Sequence, residues 1–305
     1  MRFAPFIRRA RAAAVVAALA APLCAPVAGC HGDGPVGRSA AVDDFGDTVV
    51  VAMRPTRIVS LNPTTTELLY AIGAGGRLVG RTTYDAWPVE VRSVPDLGPG
   101  LRPNVEAVIA ARPDLVILYA SEDNRDAARR LRAAGIRTAS YRVDRIADFV
   151  RVTTALGRLS GDSAAARATI DSVSATLARV RAATASLPRP SVVWPLWESP
   201  LLTVGGGSYL DELLEIAGAR NVYRELPQPS PAVSLEDLVR RDPDVILASP
   251  RSRARMLADP RWRTVRAVRE GRVLTFDTTI VNGPSARIGA SAQALARLFH
   301  PGAVQ

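Results

Sequence analysis

The segment NVEAVIAARPDLVIL at positions 104–118 recurs as SLEDLVRRDPDVILA at 234–248, with Glu106 and Glu236 separated by 130 residues. That separation is far longer than the roughly 20–50 residues of solenoid repeats. A chain that repeats one helix-turn-strand unit at such a distance predicts two similar lobes, and two lobes make a cleft.

Each copy has the same physical logic. Asn104 and Ser234 are good helix N-caps, and Glu106 and Glu236 fall in the first turn, where a carboxylate meets the positive end of the helix dipole. Pro113 and Pro243 stop the helix, because proline lacks an amide donor and pushes the preceding residue away from helical angles. The apolar runs that follow, 115–118 and 245–248, have the continuous hydrophobicity of buried parallel strands.

The rest of the chain alternates in the same way. Strands are predicted over 57–61, 78–81 and 138–141, with helices over 64–72, 123–134 and 146–159. In the second half, strands fall at 191–197 and 272–276 and helices at 209–217, 235–240 and 285–299. Alternation of this kind implies α/β lobes with mostly parallel sheets covered on both faces. A second echo pairs TELLYAIG at 66–73 with DELLEIAG at 211–218. Glu67, three residues after Thr64, reads as half of a capping box and therefore as structural.

Between the halves, residues 162–186 contain no glycine or proline, and Ala166, Ile170, Val173, Leu177 and Val180 recur at helical spacing. A helix of that length runs on the order of 35 Å, enough to join the lobes as a single backbone rod, although it could instead pack within one lobe. The expected organisation is a leader at 1–29, a tether with a leading strand at 30–55, an N-terminal lobe at 56–160, the joining helix at 161–187 and a C-terminal lobe at 188–301.

The leader begins with Arg2, Arg8, Arg9 and Arg11 before an alanine-rich stretch at 12–21, too short to span a bilayer and arranged like a secretory signal. It ends in Val27-Ala28-Gly29-Cys30, which resembles a bacterial lipobox and would make Cys30 the lipidated first residue of an exported, membrane-anchored protein. The alternative is an ordinary cleaved signal with an incidental cysteine. Cys24 leaves with the leader, so the body is held by its core and not by disulfides. Removing the four leader arginines lowers the formal charge from +10 to +6, and the remaining arginines are scattered, which argues against nucleic acid as a partner.

Arg57-Ile58-Val59-Ser60-Leu61-Asn62-Pro63 with Thr66-Glu67, then Asn104-Val105-Glu106 with Arg112-Pro113-Asp114, the long helix, Ser234-Leu235-Glu236 and His300-Pro301 together resemble the substrate-binding proteins of bacterial ABC importers for cobalamin, iron siderophores and haem. The resemblance covers 57–301. It implies two α/β lobes on a backbone helix, a metal chelate held between them by a monomer, and an ABC permease as partner. By that resemblance Glu106 and Glu236 meet arginines of the permease. The helix dipole alone also explains an acid at each site, but not the same glutamate at the same register in both lobes.

Ligands of open α/β sheets sit beyond the carboxyl ends of strands. Those positions hold Tyr84 and Trp87, Tyr119, Trp197, and a segment ending at Arg287. Aromatics are 5% of the chain, so their concentration at strand ends points to a stacking surface for a large planar ligand. Tyr84 and Tyr119 match aromatic contact positions of cobalamin-binding relatives, whereas Gly98-Pro99-Gly100 and Ser230 stand where relatives carry aromatics. Cobalamin is the expected ligand, with an iron siderophore or haem as the alternatives. Haem would coordinate Tyr84 or Tyr119, and an anionic siderophore would meet Arg81 or Arg287.

The only histidines are His31 and His300, so no histidine-based metal site is expected in the body, and no intrinsic cofactor. An exported enzyme is the rival class, but there is no Gly-x-Ser-x-Gly elbow, and Gly205-Gly206-Gly207-Ser208 lacks the lysine of a phosphate loop. That glycine run reads as a turn into a helix capped by Ser208.

Overall fold

Four short strands in each half of the chain pair in parallel, and both halves lay them down in the same order. The computed structural model describes residues 39–278, 281 and 283–302; the arginine-rich leader and Cys30 lie outside them. No described helix is long and apolar enough to cross a membrane.

A hairpin of β1 (Ser39–Val42) and β2 (Thr48–Val51) comes first. The sequence pattern shows only its second strand and leaves 39–42 in the tether, because Ser-Ala-Ala-Val carries little strand signal. Asp43 holds the turn, accepting the N–H groups of Phe45 and Asp47 at 3.0 and 2.9 Å, while its other oxygen accepts the N–H of Ser140 at 3.0 Å. The hairpin is thereby fixed to the N-terminal lobe.

That lobe runs β3 (Ile58–Leu61), α1 (Pro63–Ala71), β4 (Leu78–Gly80), α2 (Val105–Ala110), β5 (Leu115–Tyr119), α3 (Glu122–Ala133), β6 (Arg137–Tyr141) and α4 (Ile146–Ser160). Its sheet is ordered β4-β3-β5-β6, all parallel. After α5 (Ser163–Thr184), the C-terminal lobe runs β7 (Ser191–Val193), β8 (Pro195–Glu198), β9 (Leu201–Thr203), α6 (Tyr209–Ile216), β10 (Arg220–Asn221), α7 (Leu235–Arg241), β11 (Val245–Ala248), α8 (Pro250–Ala258), α9 (Arg266–Arg269), β12 (Val273–Thr275) and α10 (Ile288–Phe299). Its sheet is ordered β10-β7-β11-β12, again parallel. Numbered within each lobe, both orders are second, first, third, fourth.

The repeated unit does the same work twice. Asn104 and Ser234 cap α2 and α7, each accepting an N–H of the first turn. Both helices end beside a left-handed residue, Arg112 (φ 48°) and Asp242 (φ 43°), directly before the proline that disfavours a further helical residue. The aspartate after each proline then ties its strand to the first strand of the lobe. Asp114 accepts the N–H of Thr56 at 2.9 Å and that of Arg57 at 3.2 Å. Asp244 accepts the N–H and hydroxyl of Ser191 at 2.9 and 2.7 Å.

Three sequence expectations are corrected. The run at 191–197 is not one strand: the chain leaves the sheet after Val193, and Pro195 starts an antiparallel hairpin, β8–β9. Helix α1 is capped by Asn62, whose side chain accepts the N–H of Thr64 at 2.9 Å, so Thr64 and Glu67 form no capping box. The last helix also starts later than 285, at Ile288.

At 1.5 Å per residue the 22 residues of α5 extend about 33 Å. Its buried face, Ala166, Val173, Leu177 and Val180, belongs to one apolar core that also contains Phe149 and Leu156 of α4, Leu213 of α6 and Leu295 of α10. The two sheets therefore share a core through this helix, which limits how freely one lobe can swing from the other.

Candidate ligand-binding cleft

In each lobe the chain runs from the first strand to one neighbour and from the third to the other. The loops beyond their carboxyl ends diverge there and leave a crevice. The two crevices open into one cleft of about 650 Å³. Its N-terminal wall contains Asn62, Thr64, Tyr84, Tyr119 and Asp144; its C-terminal wall contains Leu196, Gly207, Ser208, Tyr209 and Ser230.

The N-terminal wall presents side chains. Asp85, buried beneath the loop after β4, accepts the N–H and hydroxyl of Thr82 at 2.6 and 2.5 Å, which turns the loop and leaves Tyr84 69% exposed over the cleft. Burial raises the Asp85 carboxyl above its ordinary pKa. Tyr119, the last residue of β5, donates its hydroxyl to Asp144 at 2.9 Å. Burial first, and that hydrogen bond second, push its pKa up to about 12. Tyr119 is thus a neutral hydrogen-bonding aromatic at neutral pH.

The C-terminal wall sets glycines and serines beside Leu196, Tyr209, Leu210 and Pro229. Ser208 caps α6, accepting the N–H of Leu210 at 3.1 Å. The glycines before it lie against the loop at 224–228: a Cβ at Gly206 would stand 2.0 Å from the carbonyl oxygen of Arg224, and one at Gly207 would stand 2.0 Å from that of Pro227. Only glycine permits this approach. Across the cleft, Pro99, Gly100 and Leu101 occupy the edge where cobalamin-binding relatives were expected to place a tryptophan.

Several residues singled out from the sequence lie elsewhere. Trp197 lines a separate cavity of about 480 Å³ with Arg255 and Trp262, and its indole N–H is donated to the carbonyl of Ser199 at 2.9 Å. The hairpin explains this. The register of β8 with β9 shifts between Pro195 and Trp197, and there Leu196 lines the cleft while Trp197 lines the other cavity. Trp87 is half-exposed outside the cleft wall, its ring centroid 5.1 Å from the Arg287 guanidinium. Arg287 is engaged by Glu67, with Nε and Nη2 donating to its carboxylate at 3.0 and 2.6 Å. Arg81 donates to the carbonyls of Val94 and Thr82 at 3.0 and 2.8 Å. Neither arginine lines the cleft, where the only charged side chain among the described lining residues is Asp144.

Sequence reasoning missed Asn62, Asp144 and Leu196. Asp144 follows β6, so the carboxyl-end rule that selected Tyr84 and Tyr119 would also have selected it. Leu196 was hidden by reading 191–197 as one strand.

Glu106 and Glu236 sit in the exposed first turns of α2 and α7. Leu101 and Ser230 line the cleft a few residues before each helix, so both glutamates lie at the cleft end of their lobes. The carboxyl of Glu106 is held below its ordinary pKa by its own backbone N–H and then by Arg130, at 2.5 Å. That of Glu236 is held low by its own backbone N–H and then by the Ser234 hydroxyl.

The family described as periplasmic binding protein matches residues 58–279. The chain belongs to this family. This periplasmic binding protein is 29% identical over 311 residues to a cobalamin-binding protein of Halobacterium salinarum, covering 94% of this chain and 83% of that one. It is 27% identical over 271 residues to the uncharacterized ABC transporter substrate-binding lipoprotein YvrC of Bacillus subtilis, covering 85% of each chain. Among solved structures, it matches a periplasmic heme-binding protein from Pseudomonas aeruginosa with a TM-score of 0.72 and 27% identity, over 81% of this chain and 94% of that one.

Proposed function

We propose that this periplasmic binding protein captures cobalamin in its inter-lobe cleft and delivers it to an ABC permease. It is the substrate-binding component of an importer for cobalamin-, haem- or siderophore-type ligands, and its relatives are named as binding proteins, not as enzymes. The observation that carries the choice of cobalamin is the charge of the cleft. Its wall offers hydroxyls, an amide, three tyrosines and backbone, with one carboxylate and no cation among the described lining residues. A corrin edged with carboxamides suits such a wall, whereas an anionic ligand would meet Asp144 without a compensating arginine.

Haem is the second reading, favoured by the identity to the Pseudomonas aeruginosa protein. Against it stands the pairing of both nearby arginines within the protein, which leaves neither directed at a ligand carboxylate. Absorbance titrations of purified protein with cyanocobalamin, haemin and a ferric siderophore separate these readings. Stoichiometric saturation is expected with cyanocobalamin alone.

Delivery requires docking, and we assign it to Glu106 and Glu236, which repeat at one register and flank the cleft end of both lobes. Reversal of both charges should abolish binding to the permease while leaving the fold and ligand titration intact. Anchoring is assigned to a lipid on Cys30, at the periplasmic face of the envelope; Cys30→Ser should move the protein from the membrane fraction to the soluble one.

A further inference from the structure

Glu67 and Glu212 occupy the same place in the two echoed segments, TELLYAIG and DELLEIAG. Each reaches out of its own lobe. Glu67, on α1, binds Arg287 in two-pronged fashion, at 2.6 Å to Nη2 and 3.0 Å to Nε. Glu212, on α6, pairs with the Nε of Arg145 and accepts the N–H of Ile146 at 2.9 Å. The two arginines are equivalent as well: Arg145 directly precedes α4, the helix after the last strand of the N-terminal lobe, and Arg287 directly precedes α10, the helix after the last strand of the C-terminal lobe. The two ion pairs are thus related by the same pseudo-symmetry that relates the lobes.

Isolated ion pairs on a protein surface often contribute little, and one such contact would need no functional account. Reciprocity is different, because unrelated surface contacts have no reason to join equivalent positions in opposite directions. Location adds to this. Arg145 follows Asp144 of the cleft wall and donates to the carbonyl of Gly206 at 3.0 Å, next to Gly207 of the opposite wall. On the other side, Thr64 of the wall lies so close to Gly283 that a Cβ there would be 1.9 Å from its hydroxyl oxygen.

We propose that Glu67–Arg287 and Glu212–Arg145 are reciprocal latches that hold the two cleft walls at binding distance, and that they release in order. The order follows from burial. The side chains of Glu67 and Arg287 are 5% and 17% exposed, against 25% and 45% for Glu212 and Arg145. The exposed latch is screened by salt and opens first, and the buried latch, less screened, holds longer. All four are positioning residues, acting on ligand through the separation of the walls. The inference needs only the two lobes, so it stands or falls apart from the identity of the ligand.

The test is an inter-lobe distance distribution, measured by pulsed electron paramagnetic resonance on the ligand-free full chain. Spin labels are placed at Arg129→Cys and Arg240→Cys, with Cys24 and Cys30 replaced by serine. Arg145→Gln should broaden the distribution, and added salt should broaden the parent protein in the same way. Arg287→Gln should broaden it further, and the exchange Glu67→Arg with Arg287→Glu should narrow it again. An unchanged distribution in both Arg145→Gln and Arg287→Gln, with helical circular dichroism intact, overturns the proposal and leaves α5 and the shared core as the restraint. If the buried-site variants fail to fold, Arg145→Gln and the salt response still decide the matter.

Discussion

The two lobes share a strand order but build their halves of the cleft from different material. In the N-terminal lobe the chain passes from β3 through Asn62 directly into α1, and the wall is made of side chains such as Tyr84, Tyr119 and Asp144. In the C-terminal lobe a hairpin is inserted after β7, and the wall sets glycine and serine beside Leu196 and Tyr209, with no charged side chain among its described residues. What is repeated is scaffold, and what differs is recognition surface. The Asp114 and Asp244 joints, the capped short helices and the buried third strands recur almost unchanged, while Tyr84 lies exposed on the cleft after β4 and Tyr223, after the equivalent β10, is buried.

That contrast can be broken by substitution. The largest effect is expected from Gly206→Ala, whose new methyl collides with the carbonyl of Arg224; overpacking against backbone should lower stability by about 3 kcal/mol in denaturant unfolding. An unchanged midpoint would show that the 224–228 loop yields, and that the C-terminal wall is soft at this point.

The scaffold joints should respond alike. Asp114→Ala and Asp244→Ala each remove a carboxylate that holds the first strand of its lobe, and each should cost about 1–2 kcal/mol. The Asp244 carboxyl is held below its ordinary pKa by the Ser191 hydroxyl and N–H. Its contribution is therefore fully present above the unfolded pKa and is lost as the pH falls through the lower folded value. Asp244→Asn should flatten that acid limb of the stability profile. Unequal costs for the two alanine variants would mean that the repeat is conserved in shape but not in energetics.

Recognition should be one-sided. Tyr84→Ala should weaken ligand binding about tenfold or more, since an exposed aromatic wall residue carries a disproportionate share of contact energy, whereas Ser230→Ala should change it less than about twofold. For Tyr119, spectroscopic titration should find its phenol ionising only near pH 12, and Asp144→Asn should bring that value down, since burial and Asp144 both hold the proton on. The smallest effect is expected from Trp197→Phe, which should leave ligand affinity unchanged because its ring lines a different cavity.

The scaffold was legible because its signals are local. Caps, prolines and continuous apolar runs at 104–118 and 234–248 specify helix, stop and strand within fifteen residues, and the unbroken amphipathic stretch at 162–186 declares α5. The cleft was legible only in part. Tyr84 and Tyr119 follow strands directly, so the carboxyl-end rule finds them. Trp197 escaped that rule because a hairpin changes which face a strand residue presents, and nothing before Pro195 announces the hairpin. Glu67 was read as a local cap because its true partner, Arg287, is 220 residues away. Such a pairing exists only once the lobes are assembled.

Calorimetric titration of the purified protein with cyanocobalamin, repeated with Tyr84→Ala, tests the central claim most directly. One-to-one saturable binding by the parent protein and a marked loss in the variant are predicted. Absence of heat with cyanocobalamin, alongside saturation by haemin or a ferric siderophore, would contradict the assignment of this neutral, tyrosine-edged cleft to cobalamin.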